Sequence, residues 1–232
     1  MKLELTEAKG IKFYHRVGFS DYKAFNEVVI NDSYQKRGTK ILNGETWIDA
    51  GGNVGAFTLL ACSLGAKVKV FEPDPFNCQM IEKNLKLNNF DADIVQAALV
   101  HDDTKKINLY VGNNNNVWRN SIVKNWCGKG IKVPCVNFDE ETKNYDNCKI
   151  DIEGAEMPIL ENTNRVFNKL VYEWSFDIDP SLERLWKVID KQKKHYELKT
   201  AWSTICYESK KELYWQQSWF PACVNVHGFK NA

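Results

Sequence analysis

ETWIDAGGNVGAFTLL, residues 45–60, passes from a short apolar strand through three glycines within five residues into a segment carrying Phe57, Leu59 and Leu60. The pattern reads as strand, glycine turn and amphipathic helix. Such a turn aims the unpaired backbone N–H groups of a helix N-terminus at a ligand, and small residues let the ligand come close. Two common ligands fit poorly. A dinucleotide turn needs G-x-G-x-x-G, and counted from Gly51 the second and third glycines are Asn53 and Ala56. A phosphate-cradling P-loop needs a Lys-Ser/Thr pair after its last glycine, and none follows Gly55.

About twenty residues on, Lys67-Val-Lys-Val-Phe-Glu72 reads as a second strand ending in an acid. A carboxylate at this place in a βαβ unit accepts hydrogen bonds from both ribose hydroxyls, the way Rossmann-like folds hold a nucleoside. Pro73-Asp74-Pro75 stops the strand stiffly and starts a helix, expected from about Pro75 to Leu87 with Phe76, Met80, Ile81 and Leu85 inward and Asn88-Asn89 at its end. The third strand is expected from Asp93 to Ala98, and Lys105 to Val111 alternates like a strand before the polar run Gly112 to Asn116. Residues 117–136 interleave Trp118, Arg119, Asn120, Ser121 and Trp126 ahead of a strand from Ile131 to Val136; they read as a substrate lid, or as a surface insertion packed on its own tryptophans.

Cys148 to Asp151 reads as the fourth strand and Gly154 as its turn, which crowds Asp151, Glu153 and Glu156 at a strand's carboxyl end. Acids also suit the first turn of a helix, an alternative that weighs most for Glu156. Leu170 to Phe176 is a fifth strand with Glu173 near its far end, and Asp179-Pro180 is expected to cap a helix bearing Leu182, Leu185, Trp186 and Ile189. The tail alternates in short pieces, Leu198 to Trp202, Glu212 to Trp215 and Ala222 to Phe229, which suggests closing antiparallel strands. Ahead of the core, Ser20-Asp21 reads as a helix N-cap before Tyr22, Phe25, Val28 and Val29, with Tyr34 and Arg37 beyond; this helix covers a sheet edge, or its end closes over the bound nucleoside.

The whole, 232 residues and 26.8 kDa, suits one domain: residues 1–40 as a cover and 41–232 as a Rossmann-like core. A net charge of +1 gives no electrostatic case for nucleic acid as the main partner. Seven cysteines without a C-x-x-C pair read as reduced thiols, and four scattered histidines, His101 and His195 among them, suggest no zinc site. Charges in the first seven residues leave no signal-peptide core, and no run of eighteen apolar residues occurs, so the expectation is a cytoplasmic protein with no membrane partner.

Asp49, Gly51, Asn53 and Gly55 match the Asp-x-Gly-x-(Gly/Asn)-x-Gly turn of class I S-adenosylmethionine-dependent methyltransferases. Together with Arg16 through Asp21, "VFEPDP", "VNFDE", "KIDIEGAE" and "LVYEWS", the chain resembles the FkbM methyltransferases over most of its length. Asn137-Phe138-Asp139 departs from the Thr-Leu-Asp-like run usual there but leaves Asp139 in place, and the asparagine-rich loop is a second departure. The resemblance implies a mostly parallel seven-stranded sheet with an antiparallel C-terminal edge and helices on both faces. It implies S-adenosylmethionine held by Tyr34, Asp49, Gly51, Asn53, Gly55, Glu72, Pro73, Asp74, Ala97 and Asp151, with Asp49 near the cofactor's ammonium group. It also implies methyl transfer to a hydroxyl of a sugar or glycan, by a monomer or homodimer.

A sugar hydroxyl is a poor acid, so a positioned base helps remove its proton. Asp151 and Glu153 are the candidates, with Glu156 and Glu173 behind them. Clustered carboxylates raise one another's pKa, or share a Mg2+ ion, for which Asp151 and Glu173 are the ligand candidates. Trp118 or Trp174 is placed to stack on the acceptor. Two other readings stay open: a nitrogen or carboxylate acceptor, and a catalytically silent cofactor-binding partner subunit.

Overall fold

The computed structural model describes residues 1–36, 38–112, 119–125, 130–200 and 223–231. The chain opens with a hairpin, β1 (Leu3–Ala8) and β2 (Ile11–Arg16), followed by α1 (Asp21–Phe25), which runs on as a π-helical turn over Asn26–Ile30. The core then alternates β3 (Thr46–Ala50), α2 (Ala56–Ser63), β4 (Lys67–Phe71), α3 (Pro75–Asn88) and β5 (Asp93–Val95). Next come β6 (Ala98–Val100), β7 (Lys106–Tyr110), β8 (Gly130–Asn137), α4 (Phe138–Thr142), β9 (Asn147–Ile150) and α5 (Glu156–Asn162). The chain closes with β10 (Lys169–Ser175), α6 (Leu182–Gln192), β11 (Tyr196–Thr200) and β12 (Cys223–Lys230).

Seven strands form one sheet in the order β11-β12-β10-β9-β3-β4-β5. β10, β9, β3, β4 and β5 run parallel, while β12 is antiparallel to both β10 and β11. This is the expected Rossmann-like sheet with an antiparallel C-terminal edge. β3 and β9 are neighbours although they are distant in sequence; from β3 the chain steps outward to β4 and β5, and from β9 it steps the other way to β10. Helices leave such a pair on opposite faces, so a crevice opens at its carboxyl ends.

Side chains alternate along each strand. In β3, Ile48 and Ala50 enter one apolar core with α5 and α6, and Trp47 enters the other with α2, α3 and the N-terminal elements. α2 is not amphipathic: Ala56 through Ala61 are all buried, because the helix lies between the sheet and the N-terminal segment. The hairpin, not expected from the sequence, packs on α3, where Asn84 and Asn88 give their amides to the backbone of Tyr14 and Lys12 at 2.7–3.1 Å and so pair the free edge of β2 as a strand would.

Several boundaries differ from the sequence reading. Asp93 to Ala98 is broken, with β6 leaving the main sheet to join β8 and β7 in a second, three-stranded one. Phe76 is 63% exposed, since Asn77 and Cys78 take the inward positions of the first turn of α3, while Met80, Ile81 and Leu85 are buried. Ser20 makes no capping bond, and Asp21 is turned inward instead to Arg16. Ser181, and not Asp179-Pro180, caps α6 through the Arg184 N–H. Arg37, the asparagine run from 113 to 116, Trp118, Trp126 and the stretch Glu212 to Trp215 lie outside the described residues. The five described cysteines are free thiols, and no helix among the described residues is long and apolar enough to cross a membrane.

Candidate active site

A cleft enclosing about 1030 Å³, its open mouth included, lies over the carboxyl ends of β3, β4 and β9. Its floor is the turn Gly51-Gly52-Asn53. Gly51 has φ +85°, and a Cβ there would sit 1.9 Å from the Asp151 carbonyl oxygen, so only glycine lets the tips of β3 and β9 come this close.

At one end of the cleft stands Glu72, just beyond β4. Its Oε2 accepts from the Asn53 N–H at 2.7 Å and its Oε1 from the Asp74 N–H at 2.9 Å, which fixes the carboxylate over the turn. Burial pushes its pKa up to about 8, against the pull of those two donors. Pro73, Asn77 and Ala97 line the wall beside it.

At the other end the acids converge. Asp151 Oδ2 accepts from the Tyr34 hydroxyl at 2.7 Å. Glu153 follows in a left-handed conformation, φ +53°, a conformation that costs a non-glycine residue on the order of 1–2 kcal/mol and turns this side chain into the cleft. Glu173 reaches in from β10 and Glu27 from the π-helical turn. Burial and the neighbouring Asp151 hold Glu27 above, and Glu153 and Glu173 well above, the usual carboxylate range. Asp151, Glu153 and Glu173 each offer an oxygen within 4.8 Å of the others, so Glu153 joins the pair expected to share a cation; among the described residues nothing beyond this spacing points to an ion.

Among the described residues, five carboxylates thus line the cleft against one cation, Lys149. That lysine is committed elsewhere: its Nζ donates to Asp49 Oδ1 at 3.0 Å and to the Gly51 carbonyl at 2.7 Å, and it sits 3.9 Å from Asp151 Oδ2. The lining therefore suits a ligand that is positive or rich in hydroxyl donors. Asn53 Oδ1, on the floor, is a buried acceptor without a partner, which also fits a ligand that brings donors.

The structure brings Tyr34, Gly51, Asn53, Glu72, Pro73, Ala97, Asp151, Glu153 and Glu173 into this one cleft. Four expected site residues are not in its lining. Asp49 is fully buried beneath the floor, its carboxylate taken by Lys149 and, at 2.7 Å, by Thr58. Gly55 is the left-handed residue before α2 and faces Ile81. Asp74 caps α3 through the Phe76 N–H and accepts from Asn120. Glu156 turns back to take the Ile152 and Gly154 N–H groups, both at 2.6 Å, and clamps the turn that presents Glu153. Trp174 is core, its indole N–H given to the Asp179 carbonyl, so it cannot stack on an acceptor.

The sequence reading overlooked three polar lining residues, Lys149, Glu27 and Asn77. Strand alternation carried a signal for the first, since Lys149 shares a face with Asp151. Of the expected lid, Asn120 and Ile122 line the cleft, and the Ser121 hydroxyl donates to the Glu153 carbonyl.

Residues 49–198 match the family model described as the methyltransferase FkbM domain. A search of curated protein sequences finds no match. Among solved structures, the tRNA (uracil-54, C5)-methyltransferase of Pyrococcus abyssi in complex with S-adenosyl-L-homocysteine is 15% identical, with a TM-score of 0.48 over 98% of this chain. This chain spans only 44% of that protein's length. TYW2 of P. horikoshii in complex with MeSAdo is 13% identical, with a TM-score of 0.51 over 99% of this chain and 72% of that one. A chain of a fibrillarin/Nop5p complex is 11% identical, with a TM-score of 0.53 over 98% of this chain and 93% of that one. At these identities the two structures with TM-scores above 0.5 speak for the fold alone.

Proposed function

Since the chain belongs to the FkbM methyltransferase family, we propose that it transfers a methyl group from S-adenosylmethionine to a hydroxyl oxygen of a sugar or glycan. One observation carries this: Glu72 and Asp151, from strand tips on either side of β3, face a single cleft across the glycine turn. When bound, S-adenosylmethionine supplies a methyl group on a sulfonium, a donor that is already activated.

The protein's own work is to hold, orient and deprotonate. Glu72, aimed by the Asn53 and Asp74 N–H groups, accepts the ribose hydroxyls. Asp151, with Tyr34 at its side, takes the proton of the acceptor hydroxyl, while Glu153 and Glu173, pushed toward their protonated forms, serve as donors to the acceptor's other oxygens. Placement of the hydroxyl in line with the methyl group is worth roughly 7–11 kcal/mol by effective molarity. Among the described lining residues the one cation, Lys149, is already paired with Asp49, which leaves little to hold a phosphate and supports a sugar over a nucleic acid as acceptor.

Calorimetric titration with S-adenosylhomocysteine, followed by a labelled-methyl assay on a glycan panel, tests the assignment. Glu72→Ala is expected to weaken cofactor binding by about tenfold or more, the worth of a hydrogen bond to a charged group. Asp151→Ala is expected to keep binding and lower transfer by about 10²–10⁴-fold. The reverse pattern overturns the two roles, and native binding with no transfer to any acceptor favours a silent partner subunit.

A further inference from the structure

Behind Glu72 lies a chain of buried polar side chains that ends on the N-terminal hairpin. Arg16, the last residue of β2, donates Nε to Asp21 Oδ2 at 2.7 Å and Nη2 to Asp21 Oδ1 at 2.8 Å. The same Nη2 reaches Asn77 Oδ1 at 2.8 Å, and Asn77 Nδ2 faces Glu72 Oε1 at 3.5 Å. Arg16, Asp21, Asn77 and Glu72 are each at most 4% exposed, so water does not compete for these contacts.

An amide side chain has two faces of nearly equal shape, one accepting and one donating. A guanidinium can only donate, so Arg16 must take the Asn77 oxygen and leave its NH₂ toward the carboxylate. Asp21, bonded to the Arg16 side chain and also to its backbone N–H at 2.9 Å, holds the guanidinium plane in place. A bare staple between hairpin and α1 would need only the Arg16–Asp21 pair; the third contact runs across to α3 and toward the cleft.

We infer that Arg16 and Asn77 are positioning residues for cofactor binding, with Arg16 fixing the Asn77 amide so that it orients Glu72 toward the ribose. The inference rests on Glu72 being the ribose acceptor, and it gives the N-terminal cover a task in binding beyond enclosing the cleft.

The test is a mutant cycle read by calorimetry with S-adenosylhomocysteine, on the full chain, at protein concentrations that resolve weak binding. Asn77→Ala is expected to weaken affinity by about tenfold, and Arg16→Lys, whose single nitrogen replaces the planar two-nitrogen fork that meets Asp21 and Asn77, by about fivefold. In a Glu72→Gln background each is expected to change affinity by less than about twofold, because groups that act through one partner are not additive. In turnover, the cofactor KM rises while kcat at saturation holds. Equal weakening with and without Glu72, or no weakening in either, overturns the relay. Should Arg16→Lys lose its cooperative melting transition, Asn77→Ala decides alone, since it leaves the Arg16–Asp21 pair in place. Failure of the parent reading looks different: Glu72→Gln would then bind as tightly as the native chain.

Discussion

A carboxylate at a strand tip can face a ligand or a neighbouring strand, and Glu72 and Asp49 divide these two options. Parallel pairing of β3 with β9 sets Asp49 opposite Lys149 in register, with both side chains buried. Stranding either charge alone costs more than the pair does. Asp49→Asn is therefore expected to destabilise the fold by about 3 kcal/mol, the low end for breaking a buried pair because Asp151 stays 3.9 Å from Lys149, with a lower urea midpoint and little change in S-adenosylhomocysteine affinity below the transition. A large loss of affinity with no loss of stability would instead return Asp49 to the ligand. The motif showed an acid at this strand end; the strand that would lie beside it depends on a register set by residues about a hundred positions away. Glu156 was ambiguous for a related reason, because an acid in the first turn of a helix can serve the turn or the cleft. Here the N–H groups of Ile152 and Gly154 take it.

Elements with apolar periodicity and strong turn chemistry were legible: β3, β4, α3, β9 and β10 lie within a residue or two of where alternation, Pro75 and Asn89 put them. The hairpin β1–β2 was not, because its free edge is held by Asn84 and Asn88, polar residues that look like a solvated helix face in sequence. The glycine turn was legible as a ligand-facing device but also has a packing duty. Gly51 lets β3 meet β9, and Gly52 leaves room for Val70, whose Cγ2 would lie 2.2 Å from an added Cβ. Gly51→Ala combines a left-handed backbone with an overlap against the Asp151 carbonyl, so it must part the two strand tips. The expected result is a loss of roughly 2–4 kcal/mol of stability together with weaker cofactor binding, read by thermal melting and calorimetry on the same sample. Unchanged melting would mean that the tips are free to separate, and the cleft would then not be built on the β3–β9 pair.

On the scale of the whole molecule, a net charge of +1 hides an interior where acids gather. Composition cannot show this, since Glu27, Glu72, the turn bearing Asp151 and Glu153, and Glu173 come from four separate parts of the chain. The gathering makes stability depend on pH in a stated direction. Glu72, with an ordinary value of 4.5, is raised to about 8 in the fold, and Glu156 from 4.5 to about 7, both mainly by burial. An acid raised on folding holds its proton longer in the native state, so its contribution is complete below about 4.5 and is lost as pH climbs through its folded value. The ligand-free protein is therefore expected to melt at progressively lower temperature between pH 5 and pH 9, with the Glu72→Gln variant showing a shallower slope in the upper half of that range. Ribose hydroxyls donate to the charged form of Glu72, so binding runs the opposite way. The rise in melting temperature produced by saturating S-adenosylhomocysteine should be larger at pH 8.5 than at pH 6.5, and Glu72→Gln should remove the difference. An equal rise at both values in the native chain would show that the carboxylate is already charged before the ligand arrives, or that it does not touch the ribose; the Glu72→Gln affinity separates these two.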